Sequence, residues 1–230
     1  MSKKSLSTAI LLIIIPSILV ISWHMGDRKY YLCSIILIIC AIGAFWLSFE
    51  QKSPKTREIV MVAVMCAIAV ASRTVFIMLP QFKPMAAIVM ICGMALGARA
   101  GFVTGTISVF VSNFIFGHGP WTLWQMFAFG LAGFIAGVLY DKGIMKKEKR
   151  ISTALIGGAI VMLVVGPILD TCTVFTMSSM INMSSAAAVY LAGIPFNAVH
   201  SAATAITMFV LCRTMIEKLE RIKLKYGIYQ

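Results

Sequence analysis

The sequence predicts an all-α integral membrane protein, on three observations. Hydrophobic residues make up 60% of the 230-residue chain and charged residues only 12%, with a mean hydropathy of +0.94. A water-soluble core cannot enclose that much apolar surface, so lipid must be the solvent. The apolar residues fall into long runs separated by short polar stretches. The net charge of +12 sits between those runs and at the two ends, which is the pattern of anchoring to an anionic cytoplasmic leaflet of membrane lipids and not of nucleic-acid binding.

Taken in order, the first apolar run, about Thr8 to Trp23, follows Lys3 and Lys4 and lacks a small-residue cleavage site. It leads through His24 to Tyr30 into a second run, Tyr31 to Phe49, so the two read as a retained transmembrane hairpin. A polar connector, Glu50 to Glu58, carries Lys52, Lys55 and Arg57 around Pro54 and divides this hairpin, residues 1–56, from the rest. Six segments follow: Glu58 to Leu79, Met85 to Ala98, Ala100 to Phe116, Thr122 to Tyr140, Ile151 to Thr176 and Ala186 to Cys212. They form a six-helix core, residues 57–212, ahead of a basic tail, residues 213–230. Met85 to Ala98 is shorter than the roughly 20 residues that span a bilayer upright, so it is tilted, shielded by neighbours or re-entrant. Glu217, Lys218, Glu220 and Arg221 alternate in helical fashion, which extends the last helix beyond the membrane.

Counting Lys and Arg orients the eight helices. With both termini cytoplasmic, sixteen of these residues fall inside and only Arg28, Lys29 and Lys83 fall outside. The Gly117-His118-Gly119-Pro120 turn then faces outward, as do the loops Pro80 to Pro84 and Met177 to Ser185.

Two ionisable side chains remain within the apolar runs, Arg73 and Asp170, each seven residues from the outer end of its helix and so roughly 10 Å below the surface. They either pair or line one outward-facing cavity, with snorkelling to the headgroups the alternative for Arg73. Asp170 is too short to snorkel and needs a partner or water. Gly166-Pro167 precedes Asp170, and Pro195 precedes Asn197 and His200. Proline frees a backbone carbonyl, which a membrane tolerates only where protein or a wet cavity satisfies it. Two kinked helices with polar neighbours point to a cavity, against a reading in which His200 merely bonds to an adjacent helix. Asn113 is a further candidate for bridging helices.

Catalysis and metal binding find no pattern. There is no nucleophile turn with Ser, His and Asp, no H-E-x-x-H, no paired carboxylates and no P-loop. The six cysteines stand singly in apolar runs and read as small buried hydrophobes, not as a disulfide or zinc framework. No cofactor is implied. Gly93/Gly97, Gly101/Gly105 and Gly133/Gly137 fit the G-x-x-x-G rule and read as packing within the chain.

Ala63, Ala67 and Ala71 form a smooth stripe on the first core helix. Ala95 to Gly105 (A-L-G-A-R-A-G-F-V-T-G) makes the turn between the second and third, and G-H-G-P-W-T-L-W-Q-M lies at the outer tip. In this order on a six-helix core, the combination resembles the substrate-binding S components of energy-coupling factor (ECF) transporters, over about Arg57 to Cys212. The resemblance implies a subunit of a prokaryotic cell membrane that captures a vitamin from outside, without an ATPase site of its own. A transmembrane scaffold subunit and two cytoplasmic ATPases would drive uptake. It further implies that Ala63, Ala67 and Ala71 dock on the scaffold. The ligand site would draw on Arg73, His118, Trp121, Trp124, Gln125, Asp170, Asn182, Asn197 and His200, although both tryptophans also suit an aromatic belt at the headgroups. The tip looks most like the branch linked to cobalamin and related corrinoids, with glycine-flanked His118 approaching the cobalt or an amide. The added N-terminal hairpin departs from the family's pattern. The rival readings are an S component for another vitamin or precursor, a membrane enzyme using Asp170, Arg73 and His200 on a lipid or prenyl substrate, and a stand-alone secondary carrier.

Overall fold

Every described element is helical in the computed structural model, which describes residues 56–177 and 182–226. The N-terminal hairpin expected between Thr8 and Phe49, and with it the count of eight helices, lies outside the described residues. The elements are α1 (Thr56–Val75), α2 (Met85–Leu96), α3 (Ala98–Phe116), α4 (Trp121–Asp141), α5 (Arg150–Ile160), a π-helical turn (Val161–Val165), α6 (Gly166–Met177) and α7 (Met183–Tyr226). With α5, the π turn and α6 taken as one rod, five helices among the described residues are long and apolar enough to cross a membrane.

The short segment proves to be the shielded one. All residues of α2 are buried, and its neighbours are α1, α3, α4 and α7. At about 1.5 Å per residue it is roughly 18 Å long, too short to span, but lipid never reaches it. Close approach of glycines lets α2, α3 and α4 surround one another. A β-carbon placed on Gly101 would lie 2.6 Å from the Gly133 carbonyl oxygen and 2.6 Å from the Gly93 Cα. Gly93, Gly101, Gly105, Gly133 and Gly137 therefore pack within the chain, as expected, whereas Gly97 meets no neighbour and ends α2.

Several boundaries move. The first core helix stops at Val75, and Phe76 to Leu79 form turns although they are apolar. Gln81, at φ 57, is a non-glycine residue in the left-handed region in this loop. Arg99 lies inside the first turn of α3, and the break falls at Gly97, whose φ of 97 is open to glycine without steric cost. The long fifth segment is interrupted by the π turn just before Gly166-Pro167, which widens the helix where proline removes a backbone donor. The last helix runs unbroken through Pro195 to Tyr226.

At the basic end of the bundle, α7 closes the structure. Ile216 and Leu219 are buried in the core. Lys223 Nζ donates to the Ala95 carbonyl at 3.0 Å, supplying a partner for the last turn of α2. Arg57 Nη1 reaches the Tyr226 carbonyl at 2.7 Å, and Lys147 pairs with Glu220. The opposite end carries the 76–84 loop, the 117–120 turn and the start of α7, and there the polar side chains of the interior gather.

Candidate functional site

Two polar clusters occupy this end, one on each side of α4. The first begins at Arg73, near the end of α1, which is 7% exposed and so does not snorkel. Its Nη1 donates to Ser112 Oγ and, at 2.9 Å, to Asn113 Oδ1 on α3. Asn113 in turn donates through Nδ2 to Thr122 Oγ1 at 3.1 Å and Gln125 Oε1 at 3.0 Å on α4. Arginine can only donate, so the oxygen of Asn113 must face it and the amide must face α4. Thr122 Oγ1 also accepts from the Gly119 amide at 3.0 Å, which ties the 117–120 turn to the network. Asn113 thus bridges α1, α3 and α4.

Replacing it with leucine would strip a buried acceptor from Arg73 and leave Thr122 and Gln125 short of a donor. Asn113→Leu is expected to destabilise the protein by about 3 kcal/mol, read as a lower thermal midpoint in detergent. An unchanged midpoint would show that the network contributes nothing to stability.

The second cluster joins α6 and α7. Asn197 Nδ2 donates to Asp170 Oδ2 at 2.8 Å. A β-carbon on Gly193 would lie 2.5 Å from Asp170 Oδ1, and one on Gly166 would lie 2.6 Å from the Asn197 side-chain carbonyl carbon, so each polar group occupies the space of a missing side chain. Among the described residues no ion pair joins Arg73 to Asp170: each has found its own neutral partners. Of the two arrangements the sequence leaves open, pairing does not occur.

Aromatic contacts fill the space between α4 and the α6–α7 pair. Trp124 stacks on Phe175 with ring centroids 6.0 Å apart and 24° between planes. Five residues further along α4, Phe129 lies 5.6 Å from the ring of His200. Here two polar atoms are sealed from water with no hydrogen-bond partner: Trp124 Nε1 and His200 Nε2. His200 is buried, but its Nε2 lacks the bond to a neighbouring helix that would explain it structurally. Burying such a group unpaired costs about 1–3 kcal/mol; Ser108 Oγ, on α3, is a third such atom.

The other sequence candidates lie elsewhere. His118 is exposed and packs against Phe110 at 5.3 Å and Phe114 at 4.6 Å, two exposed rings of α3, whereas Asn113 is buried. Trp121 is exposed and its ring covers Gly119. Asn182 caps α7: its Oδ1 accepts from the Ser185 amide at 2.8 Å, while its own amide donates to Ser185 Oγ at 3.1 Å. Gln125 meets Asn113, as described. Sequence reasoning passed over Ser112, Thr122, Phe129 and Phe175, apolar or small polar residues with no motif, and took Lys83 only as a charge of the outer side. For Thr122 the signal available was its spacing of three from Gln125, which puts both on one helical face.

On α1 the alanines Ala63, Ala67 and Ala71 are all exposed, flanked by exposed Val60, Val64 and Ile68. Among the described residues no group of His, Cys, Asp or Glu is arranged to hold a metal ion, and Cys66, Cys92, Cys172 and Cys212 are free and buried.

Compared with known proteins, residues 53–217 match the family described as ECF-type riboflavin transporter, S component. No curated relative and no solved structure matches. The matched stretch contains α1 to α6 whole and most of α7, the elements that carry both polar clusters. S components are substrate-binding transport subunits, not enzymes, and a multi-pass membrane protein of all-helical build is what such a subunit requires. The chain belongs to the family of S components of ECF-type riboflavin transporters.

Proposed function

We propose that this protein captures a flavin, riboflavin or a close derivative, at the outer face of a prokaryotic cell membrane and hands it to an ECF scaffold subunit driven by two cytoplasmic ATPases. The observation that carries the ligand class is the pair of sealed, unbonded nitrogens, Trp124 Nε1 and His200 Nε2, set among the rings of Phe175 and Phe129. A flat heteroaromatic head with ring nitrogens and carbonyls can stack in such surroundings while bonding to both atoms. Asp170 and Asn197 offer acceptors and donors for ligand hydroxyls on the far wall. The riboflavin description of the family supports the same ligand class.

A corrinoid, the ligand suggested by the G-H-G-P-W-T-L-W-Q-M tip, is less well supported. His118, the residue meant to approach the cobalt, is exposed and packs on the exposed rings of Phe110 and Phe114. Both termini are assigned to the cytoplasm, on the strength of the Lys and Arg distribution. The smooth face of Ala63, Ala67 and Ala71 is the surface assigned to the scaffold.

Titrating detergent-purified protein with riboflavin, with flavin fluorescence as the readout, tests the ligand. Saturable quenching is expected, and Trp124→Phe should weaken binding about tenfold by removing one hydrogen bond while keeping the ring. Absence of flavin binding, or a coloured corrinoid retained through purification, would reject the flavin. Concentrative uptake by liposomes containing this chain alone would reject the dependence on ATPase partners in favour of a secondary carrier. Turnover of a lipid or prenyl substrate would favour the enzyme reading.

A further inference from the structure

The geometry points to a binding site for one anionic phospholipid, drawn from the leaflet that meets the basic end of the bundle, in a groove between the start of α5 and α7. Lys149 and Arg150 hold its phosphate, and an acyl chain lies against Ile151 and Phe209. The groove is at the opposite end of the molecule from the two polar clusters, so it stands whatever ligand those clusters bind.

The groove has a volume of about 450 Å³ and is lined by Glu148, Lys149, Arg150, Ile151, Ser152 and Phe209. Its two helical walls both change from apolar to charged here. On α5, Arg150 is followed by exposed Ile151 and, one turn on, by exposed Leu155; on α7, exposed Ile206, Phe209 and Val210 precede Arg213. Such a change marks the boundary between hydrocarbon and headgroups. The cations of the groove are also unspent. Arg213 is taken up by Glu217 at 2.8 Å and Lys147 by Glu220, but among the described residues no hydrogen bond or ion pair engages the side chain of Lys149 or Arg150. The lining thus sets two free cations against one acid, Glu148.

The connector that presents Lys149 is fixed in place. Met145 is buried in the core, the Lys146 amide donates to Thr153 Oγ1 at 3.0 Å, and Thr153 Oγ1 donates to the Lys146 carbonyl at 2.8 Å. The Lys149 amide donates to the same carbonyl at 3.1 Å. A ligand here does not have to order a loose loop, which spares that cost of binding. A guanidinium offers phosphate a fork of N–H donors, and an ammonium adds a point charge. Basic pockets between helices at a membrane surface collect anionic headgroups for this reason. A zwitterionic lipid brings an ammonium of its own, which the two cations repel. A soluble phosphate ester leaves the apolar side chains of Ile151 and Phe209 uncovered.

Native mass spectrometry of the detergent-purified full-length protein, titrated with phosphatidylglycerol or with phosphatidylcholine of the same acyl chains, tests the site through the affinity for the first lipid bound. Phosphatidylglycerol is expected to bind at least about tenfold more tightly. Lys149→Gln and Arg150→Gln should each weaken it about fivefold while leaving phosphatidylcholine unchanged. Phe209→Ser should weaken both lipids. All three residues are exposed, so their loss leaves the fold intact. Lys218→Gln removes an exposed cation outside the groove and should change neither affinity. Equal binding of the two lipids overturns the site, and so does a preference that the Lys149→Gln/Arg150→Gln double variant retains or that Lys218→Gln reduces as much. Glycerol 3-phosphate bound as tightly as phosphatidylglycerol, or a lipid affinity that Phe209→Ser leaves intact, would put a soluble anion in place of the lipid and overturn it too.

Discussion

Gly133→Val is expected to cost about 3 kcal/mol or more and to lower the thermal midpoint of the detergent-solubilised protein by roughly 10 °C. The reason is backbone against backbone. A β-carbon at this position would lie 2.5 Å from the Gly101 carbonyl oxygen, 2.7 Å from its carbon and 2.8 Å from Val89 Cγ1. Gly93 and Gly101 present the mirror of the same contact, since added β-carbons there would run into the Gly133 carbonyl. No rotamer relieves a clash between main chains, so α3 and α4 must separate, and α2, buried on all sides, loses its enclosure. Ala159→Val, at an exposed position of α5, serves as the control and should leave the midpoint in place. A Gly133→Val protein as stable as its parent would mean that these helices do not cross as closely as described.

Ala67→Trp is expected to reduce ECF-dependent uptake at least about thirtyfold in cells while leaving the protein folded. Ala67 is at the middle of the exposed stripe, between Ala63 and Ala71 and away from both polar clusters. An indole there adds a protrusion about the height of a ring to a face that must lie flush against a partner helix. Losses above 2 kcal/mol are typical when the centre of an interface is disrupted, and 2 kcal/mol corresponds to about thirtyfold. The measurement pairs uptake with co-purification of the scaffold and ligand affinity of the isolated subunit. Normal uptake by the variant would remove α1 from the docking surface, whereas lost uptake with equally lost ligand affinity would place the defect in folding.

The residues of the site differ in how plainly the sequence marks them. Arg73 and Asp170 stand out because a charge in an apolar run is expensive and therefore conspicuous. Their partners do not: Ser112, Asn113 and Thr122 are small polar residues of the kind that occur along any helix, and only the register between helices determines which of them meet. His118 and Asn182 illustrate the converse. Both have the chemistry of a ligand contact, but the turn after α3 brings His118 to exposed rings, and Asn182 serves the first turn of α7. The Asn-x-x-Ser spacing of that cap was visible in the sequence and could have been recognised as a helix start.

The sequence by itself determined the solvent, the helical class, the approximate segments of the core, the glycine pairs that pack it and the alanine stripe, because each follows from composition or from the period of a single helix. It also singled out the S components of ECF transporters through motifs that lie in order along the chain, but it pointed to the corrinoid branch, whereas the matching family is described by riboflavin. Only the tertiary structure decided that Arg73 and Asp170 find separate partners, that α2 is shielded by its neighbours, that Trp124 and His200 keep unbonded nitrogens and that Lys83 comes to the ring of Phe116 beside Arg73. These are relations between residues far apart in sequence. They depend on the rotation and depth of one helix against another, which the packing of backbones at the glycines sets and no local pattern records.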